Sequence, residues 1–309
     1  MKVLEERPWR ERRRGGDKKA RKKFPKLLVF GVGFIILSIV SFTALILNIE
    51  PVDYVVETNA FFAPFEFYRG REIIGVDVEI IERVAERMGK KIKIQDVEFD
   101  VIIDNVEAGR IADAGAAGLT ITPAREEKVN FTIPYYTSTQ YVIYDKTRDV
   151  ALLEGHIVWE ELRGKVLGTQ IGSTGYLFTA EEIDNGVLKD TGTVLKGFDS
   201  HQIAADAIGA HIVDFSIADQ LAAEFIVKNN SNLTAVPLYY KGDYSGETVL
   251  EDRPVEESYA IAVNKERTEL LDAFNGVLID MTEKDPKGIS EIDRLVIKYM
   301  GIMEEESNE

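Results

Sequence analysis

The chain has 309 residues, of which 45% are hydrophobic and none is cysteine. This composition excludes extensive disorder, a disulfide framework and a thiolate zinc site. With only three histidines, we expect neither a metal centre nor a cofactor. The formal net charge is −16, yet residues 1–26 hold 12 Lys or Arg against 4 Asp or Glu. This uneven distribution predicts that the two parts of the chain lie in different environments.

Residues 27–48 separate these two parts. Leu27 to Leu47 is a run of 21 uncharged residues, which as a helix spans the roughly 30 Å hydrocarbon core of a bilayer. We predict a retained transmembrane helix, with a cleaved signal peptide as the alternative. The positive-inside rule places the basic tail, residues 1–26, in the cytoplasm and the rest of the chain outside. For this tail we predict contact with anionic membrane lipid rather than nucleic acid.

The first part of the remaining chain alternates between strand and helix signals. We predict a strand over Tyr54–Thr58, then an aromatic loop, NAFFAPFEF, in which Phe65 and Phe67 are core residues. Asp77 is a candidate cap for a helix that ends near Gly89, and Asp100 for a second helix that ends near Gly109. The half-buried strand KIKIQ lies between them, and the small-residue strand ADAGAAG follows the second helix.

The same alternation restarts near residue 157. A strand over residues 166–169 leads through the loop QIGSTG to a helix from about Tyr176. A helix at residues 200–208, a strand at 212–217 and a helix at 220–228 follow. The strand YAIAV and two C-terminal helices complete the chain. The order of elements predicts an α/β protein with mainly parallel sheets in two lobes.

Six collinear blocks carry a resemblance to a known family: NAFFAPFEF, GVDVEIIERVAERMG, EFDVIIDNVEAGRIADAGAAGLTITPAREEKVNFTIPYY, GTQIGSTGY, DFSIADQLAAEFIVKN and ESYAIAVNKERTELLDAFN. In this order they resemble the extracellular solute-binding proteins of family 3. The resemblance implies a two-lobed type II periplasmic-binding-protein fold with two crossover strands. Lobe one would comprise residues 50–143 plus 258–309, and lobe two residues 145–256. It also implies a receptor, not an enzyme, that delivers an amino acid to an ABC permease.

Arg125 and Asp219 are the candidate charged pair of the ligand site. A buried amino acid zwitterion needs a cation for its carboxylate and an anion for its ammonium group. The resemblance assigns these roles to Arg125 and Asp219. The alternatives are a surface arginine paired with Glu126 or Glu127, and an aspartate that simply caps the next helix.

The other candidate ligand-binding residues follow strands, lie in the aromatic loop or, in the case of Phe99, precede the second helix. Small residues at a strand end, a hydroxyl group and the positive end of a helix suit an amino acid's polar head, and aromatic faces suit its side chain. For several of them ordinary packing or helix capping is the open alternative. The set is Asn59, Phe62, Phe99, Ala117, Gly118, Thr120, Gln170, Gly172, Ser173 and Thr174.

Asn59 and Gln170 determine the expected ligand class. Both offer neutral amides where the resembling family can carry a charge, so we predict a neutral or polar amino acid rather than a basic one. Two alternative functions stay open. A dehydratase acting on cyclohexadienyl acids or arogenate would need a catalytic acid such as Glu57, Glu66 or Glu98, and a ligand-sensing receptor would act through a partner.

Overall fold

A computed structural model describes residues 51–148, 155–242, 244–245, 248–249 and 251–306. The basic tail and the transmembrane helix that we predict over residues 27–48 lie outside these ranges. Within them, no helix combines the length and the apolar character needed to cross a bilayer.

The described chain alternates strands and helices. The strands are β1 (Tyr54–Thr58), β2 (Phe61–Phe62), β3 (Glu66–Arg69), β4 (Glu72–Ile74), β5 (Ile92–Asp96), β6 (Ala114–Gly115), β7 (Asn130–Phe131), β8 (Tyr136–Asp145), β9 (Ile157–Val158), β10 (Val166–Gln170), β11 (Val194–Phe198), β12 (Phe215–Asp219), β13 (Leu233–Tyr240), β14 (Tyr244–Ser245), β15 (Thr248–Val249), β16 (Arg253–Pro254), β17 (Glu256–Tyr259) and β18 (Ala262–Val263). The α-helices are α1 (Val76–Met88), α2 (Ile102–Ala108), α3 (Pro123–Glu126), α4 (Thr174–Asp184), α5 (His201–Gly209), α6 (Gln220–Lys228), α7 (Thr268–Thr282) and α8 (Glu291–Glu306). Short 3₁₀ turns lie at Phe99–Val101 and Trp159–Leu162.

Lobe one is built on a five-stranded sheet in the order β5-β1-β6-β18-β7. β1 runs parallel to β5 and β6, whereas β18 is antiparallel to both β6 and β7. Helix α1 buries its apolar face, Ile80, Ile81 and Val84, in the core of this lobe. α1 also packs against α7 and α8, so the C-terminal helices belong with the first lobe.

Lobe two is built on a mixed sheet in which β11, β10 and β12 are parallel and β8 and β13 are antiparallel neighbours. The prediction of mainly parallel sheets is therefore wrong for this lobe. The reason is that β8 enters from lobe one and pairs β12 in the opposite direction, from Gln140 to Ile143. A core around Trp159, Leu167 and Phe215 lies under the sheet.

Two antiparallel strands, β8 and β17, connect the lobes. They pair from Tyr136↔Tyr259 to Thr139↔Glu256, which places both crossings side by side. The boundary that we drew between residues 143 and 145 falls inside the continuous strand β8. A strand shared between lobes has no break in its sequence pattern, so composition alone gives no boundary there.

Three local expectations are corrected by the structure. Asp77 is not the cap of α1, because Gly75 holds that position and the Asp77 side chain is buried. Asp100 lies inside the 3₁₀ turn that precedes α2, not at a helix cap. Helix α4 begins at Thr174, two residues earlier than predicted, because Ser173 caps it by accepting a hydrogen bond from the Tyr176 amide at 3.2 Å.

Candidate functional site

Most of the predicted site residues lie at or after the carboxyl ends of four strands, whereas Phe62 lies in β2 and Arg125 in helix α3. Asn59 follows β1, the segment from Ala117 to Thr120 follows β6, Gln170 ends β10, and Asp219 ends β12. In α/β sheets ligands bind at the carboxyl ends of parallel strands. The two lobes turn these ends toward each other, and one small cavity is lined by Phe62, Phe99, Ala117, Gly118, Thr120, Gln170, Ser173, Thr174 and Asp219, together with His201.

Arg125 lies at the junction of the lobes. Thr122 caps the short helix α3, and the Arg125 side chain is only 7% exposed. Its Nη1 donates to the Thr120 carbonyl at 2.8 Å, and its Nη2 donates to the Gly172 carbonyl of lobe two at 2.9 Å. The surface alternative for Arg125 is therefore wrong. Burial lowers the pKa of the Arg125 guanidinium to about 10, so the group stays charged at neutral pH.

Asp219 ends β12 and also stands at the N-terminus of α6, but its side chain does not cap that helix. Its Oδ1 accepts a hydrogen bond from Gln140 Nε2, and its Oδ2 accepts one from the Tyr259 hydroxyl at 2.5 Å. Burial raises the pKa of the Asp219 carboxyl. The carboxylate therefore faces the two crossing strands at the base of the cleft, and Asp219 lines the small cavity between the lobes.

Glu257 is a second buried carboxyl in the same place. It lies on the crossing strand β17 and is 4% exposed. Its Oε2 accepts from the Thr120 hydroxyl of lobe one at 2.7 Å and from the Thr174 hydroxyl of lobe two at 2.5 Å. Its Oε1 accepts from Gln140 Nε2 at 2.5 Å. Glu257 therefore links both lobes to the base of the cleft.

Asn59 and Gln170 bond to each other across the cleft. Gln170 Nε2 donates to Asn59 Oδ1 at 3.1 Å and to the Asp199 carbonyl at 3.2 Å, while Asn59 Nδ2 donates to the Val97 carbonyl at 2.8 Å. Both side chains are almost fully buried. In this closed arrangement the two amides serve as a contact between lobes.

Gly172 and Gly118 allow backbone to approach the cleft closely. Gly172 has φ +76°, and a Cβ atom there would lie 2.9 Å from the Asp100 Cβ in lobe one. A Cβ at Gly118, with φ +55°, would lie 2.4 Å from the Phe62 ring. The Gly118 amide donates to Asp77 at 3.1 Å, so it is used inside lobe one rather than offered to the cavity.

Aromatic rings enclose the cavity. Phe62 is buried and stacks on Phe65, with ring centroids 5.6 Å apart, and the Phe99 ring lies 5.8 Å from the Arg125 guanidinium carbon. The prediction that Phe65 and Phe67 are core residues is confirmed, and Phe61 is 68% exposed. His201 packs at 6.0 Å from Phe62, and burial lowers its pKa to about 4, so its ring is neutral at neutral pH.

Asp77 and Glu66 form another buried acidic pair, wholly within lobe one. Asp77 Oδ1 accepts from the Tyr135 hydroxyl at 2.6 Å, and Oδ2 accepts from the Gly118 amide. Burial raises the pKa of Asp77 to about 6. Burial, together with the charge of Asp77, raises the pKa of Glu66 well above its ordinary value. Asp77 thus fixes the loop that carries Gly118 at the edge of the cleft.

The cavity between the lobes is small, about 10 Å³, which is about the space of one water molecule. A ligand the size of an amino acid therefore enters only when the lobes separate. A larger groove of about 520 Å³ lies nearby, lined by apolar side chains such as Phe61, Phe225 and Ile226. That groove lacks the paired charges that a zwitterion needs, so it is the poorer candidate.

Sequence reasoning missed Gln140, His201 and Glu257. Gln140 and Glu257 lie on the crossing strands, and both side chains point inward. On the strand of Glu257 every second residue is buried, namely Val255, Glu257 and Tyr259. A charged residue at an inward strand position was the signal available in the sequence. For His201, which follows the cap residue Ser200, the sequence holds no comparable signal.

Comparison with known families gives the decisive match. The model of bacterial extracellular solute-binding proteins, family 3, matches residues 54–301. The chain belongs to this family. The resemblance seen in the sequence is thereby confirmed, and so is the prediction of a binding protein rather than an enzyme.

Individual relatives agree with this family. The arginine-binding extracellular protein ArtP of Bacillus subtilis is 27% identical over 78% of this chain and 84% of its own length. An ancestral arginine-binding protein solved with arginine is 29% identical, covers 80% of this chain and 98% of its own, and has a TM-score of 0.64. An ancestral arginine-binding protein solved with glutamine is also 29% identical, covers 80% of this chain and 97% of its own, and has a TM-score of 0.61.

Proposed function

We propose that this family 3 solute-binding protein captures an amino acid between its lobes and presents it to an ABC permease. The observation that carries the proposal is the pair of opposite buried charges, Arg125 and Asp219, at the same cleft. The guanidinium suits the ligand's α-carboxylate, with two parallel hydrogen bonds, and the carboxylate suits its ammonium group. Binding would replace the hydrogen bonds from Arg125 to Thr120 and Gly172 and stabilise the closed lobes.

The ligand's side chain is the finer part of the proposal. The neutral or polar preference rests on Asn59 and Gln170, two uncharged amides in the cleft. An amide side chain can exchange hydrogen bonds with them as the lobes close. The ancestral relative solved with glutamine supports a neutral amide ligand in this fold.

A basic amino acid is the second candidate. The observation that favours it is Glu257, a carboxyl buried beside Asp219, because a cationic side chain needs a second anion after the ammonium group has taken the first. The names of ArtP and of the ancestral protein solved with arginine support the same ligand class.

Isothermal titration of the full-length protein with the twenty amino acids tests both the function and the ligand class. We expect one tight ligand, lost in Arg125→Ala and in Asp219→Ala. Arg110→Ala is the matched control, because Arg110 is exposed. Arginine binding more tightly than every neutral amino acid would overturn the neutral preference. Absence of any amino-acid binding, or turnover of prephenate or arogenate, would overturn the receptor proposal.

We also propose that residues 27–48 hold the receptor in the same membrane as its permease, with residues 1–26 on the cytoplasmic side against anionic lipid. The 21 uncharged residues after a strongly basic tail support this topology. Alkaline extraction of membranes tests the anchor: an anchored protein stays in the pellet, and a variant lacking residues 1–48 is released. Release of the full-length protein would contradict the proposal.

A further inference from the structure

Glu257 and Asp219 are neighbouring carboxyl groups that accept hydrogen bonds from the same side-chain amide. Gln140 Nε2 donates to Asp219 Oδ1 and to Glu257 Oε1. Both carboxyl groups are almost completely buried, and Gln140 is fully buried. A single neutral amide therefore stands between two acidic groups in a place from which water is excluded.

The groups that face Glu257 come from every element around it. Two are hydroxyl groups, that of Thr120 from lobe one and that of Thr174 from lobe two. Two more are the buried Tyr259 phenol and the buried, neutral His201 imidazole. The cation near the pair is a guanidinium that already bonds to two backbone carbonyls. These groups are Thr120, Thr174, Tyr259, His201 and Arg125, in addition to Asp219 and Gln140.

Two neighbouring carboxyl groups in such a site cannot both be ionised without a large electrostatic cost, so they bind a proton between them. Burial raises the pKa of Glu257 well above its ordinary value, and the charge of Asp219 raises it further. Burial also raises the pKa of Asp219, but its hydrogen bonds from Tyr259 and Gln140 and the nearby charge of Arg125 act in the opposite direction. This is the pattern of a protonated Glu257 beside an ionised Asp219.

We propose that Glu257 and Asp219 share one proton in the ligand-free protein, and that the ammonium group of a bound amino acid displaces this proton to solvent. The inference rests on the proposed function, since it assigns the ammonium group to this carboxyl pair. An ammonium group next to Asp219 supplies the positive charge that the proton supplied before. Ligand capture is therefore an exchange of one cation for another, and it releases a proton.

The position of Glu257 connects this exchange to closure. The hydroxyl groups of Thr120 in lobe one and Thr174 in lobe two both donate to Glu257 Oε2. An ionised Glu257 accepts these two hydrogen bonds more strongly than a neutral one. Loss of the proton on binding therefore strengthens the contact that holds the lobes together.

The direction of the pH effect follows from linkage. A reaction that releases a proton becomes more favourable as the pH rises, between the pKa of the pair in the complex and its raised pKa in the free protein. Affinity for an amino acid is therefore expected to increase with pH until the pH passes the raised pKa of the pair in the free protein. The slope corresponds to about one proton for each ligand bound.

The first experiment needs no ligand. Infrared spectra of the full-length protein at about pH 7 report protonated carboxyl groups through their carbonyl stretch. We expect one such band to be lost in Glu257→Gln, an isosteric variant that resembles the neutral carboxyl, and retained in Glu256→Gln, whose side chain is exposed on the same strand. Identical spectra for wild type and Glu257→Gln would overturn the proposal.

The second experiment is isothermal titration with L-arginine and L-glutamine in phosphate and in Tris, two buffers with different ionisation enthalpies. For whichever ligand binds, we expect wild type and Glu256→Gln to release about one proton, and Glu257→Gln to release close to none whatever its affinity. Binding without buffer dependence in wild type would overturn the exchange and leave the receptor function standing. If neither of the two binds, the tightest ligand among the twenty amino acids is titrated in their place, and only binding of none of the twenty would remove the ammonium displacement together with the function on which it rests.

Discussion

In the part of the chain that the structure describes, two buried acidic pairs differ in what surrounds them. The partners of Asp77, the Tyr135 hydroxyl and the Gly118 amide, both belong to lobe one. The partners of Asp219 and Glu257 come from the crossing strands and from both lobes. The first pair therefore contributes to the stability of one lobe, whereas the second contributes to the equilibrium between open and closed lobes. The same side-chain chemistry serves folding in one place and, in the function that we propose, ligand capture in the other.

Arg125→Ala is expected to have the largest effect, and on binding rather than folding. Removing the guanidinium leaves a buried ligand carboxylate without its cation, which costs about 3 kcal/mol, or more than a hundredfold in affinity. Titration with the tightest amino acid and thermal unfolding measure the two effects separately. Arg110→Ala, an exposed control, is expected to change neither. Equal affinities of Arg125→Ala and wild type would show that the junction of the lobes is not the ligand site.

Asp77→Asn tests the pair inside lobe one through its pH dependence. The folded-state pKa of Asp77, about 6, lies above its ordinary value of 3.8, so the folded protein holds this proton more tightly than the unfolded chain. The stabilisation from that proton is present below about pH 4 and is lost as the pH rises through about 6. The unfolding free energy of wild type, minus that of Asp77→Asn, should therefore fall by up to about 3 kcal/mol over this range.

Urea unfolding at a series of pH values measures this difference. Subtracting the variant removes the contribution of His201, whose lowered pKa acts in the opposite direction. A difference that stays constant with pH would mean that Asp77 is ionised in the folded protein throughout. If Asp77→Asn changed the free energy of ligand binding by more than it changed the free energy of unfolding, the Asp77 pair would also contribute to ligand binding, and the functional distinction between the two acidic pairs would be wrong.

Gly172→Ala tests whether the closure of the lobes contributes to ligand binding, through a change made in lobe two. The new Cβ atom would lie 2.9 Å from the Asp100 Cβ in lobe one, so it opposes closure. We expect about tenfold weaker ligand binding, about 1.4 kcal/mol. Gly164→Ala is the matched control, because Gly164 also has a positive φ, +72°, but its Cβ would meet Thr191 of the same lobe at 3.5 Å. Both variants place an alanine at a positive φ and are strained for that reason, but only Gly172→Ala should lose ligand affinity.

The contact between Asn59 and Gln170 gives the smallest expected effect. A double-mutant cycle with Asn59→Ala and Gln170→Ala isolates their hydrogen bond from the bonds that each makes to backbone carbonyls. We expect a coupling of about 0.5–1 kcal/mol in ligand affinity and close to none in unfolding of either lobe. A coupling that is absent from binding would mean that this contact does not form when the ligand is bound.

The fold could be predicted further than the site's chemistry. Strand ends carry most of the predicted ligand residues, and the folded chain brings those ends together because parallel strands share one edge of a sheet. Asp77 is an example of what the sequence could not predict. An acidic residue at the start of an apolar helix is typical of a cap, and no local pattern distinguishes it from an acidic residue that is buried under a neighbouring loop. The mixed sheet of lobe two was missed for a similar reason, because β8 pairs with strands far along the chain. Partners of Glu257 likewise lie 83 to 137 residues away, beyond the reach of any local pattern.

The paired crossing strands also restrict how the lobes can move. β8 and β17 are hydrogen-bonded in register over four residue pairs, so sliding one past the other would break every pair at once, whereas twisting the ribbon keeps them. Sliding of one lobe along the other is thereby disfavoured, and relative motion of the lobes is limited to rotations that bend or twist the ribbon. Because the lobes need not search through many orientations, the groups on their two surfaces arrive in the same register at each closure.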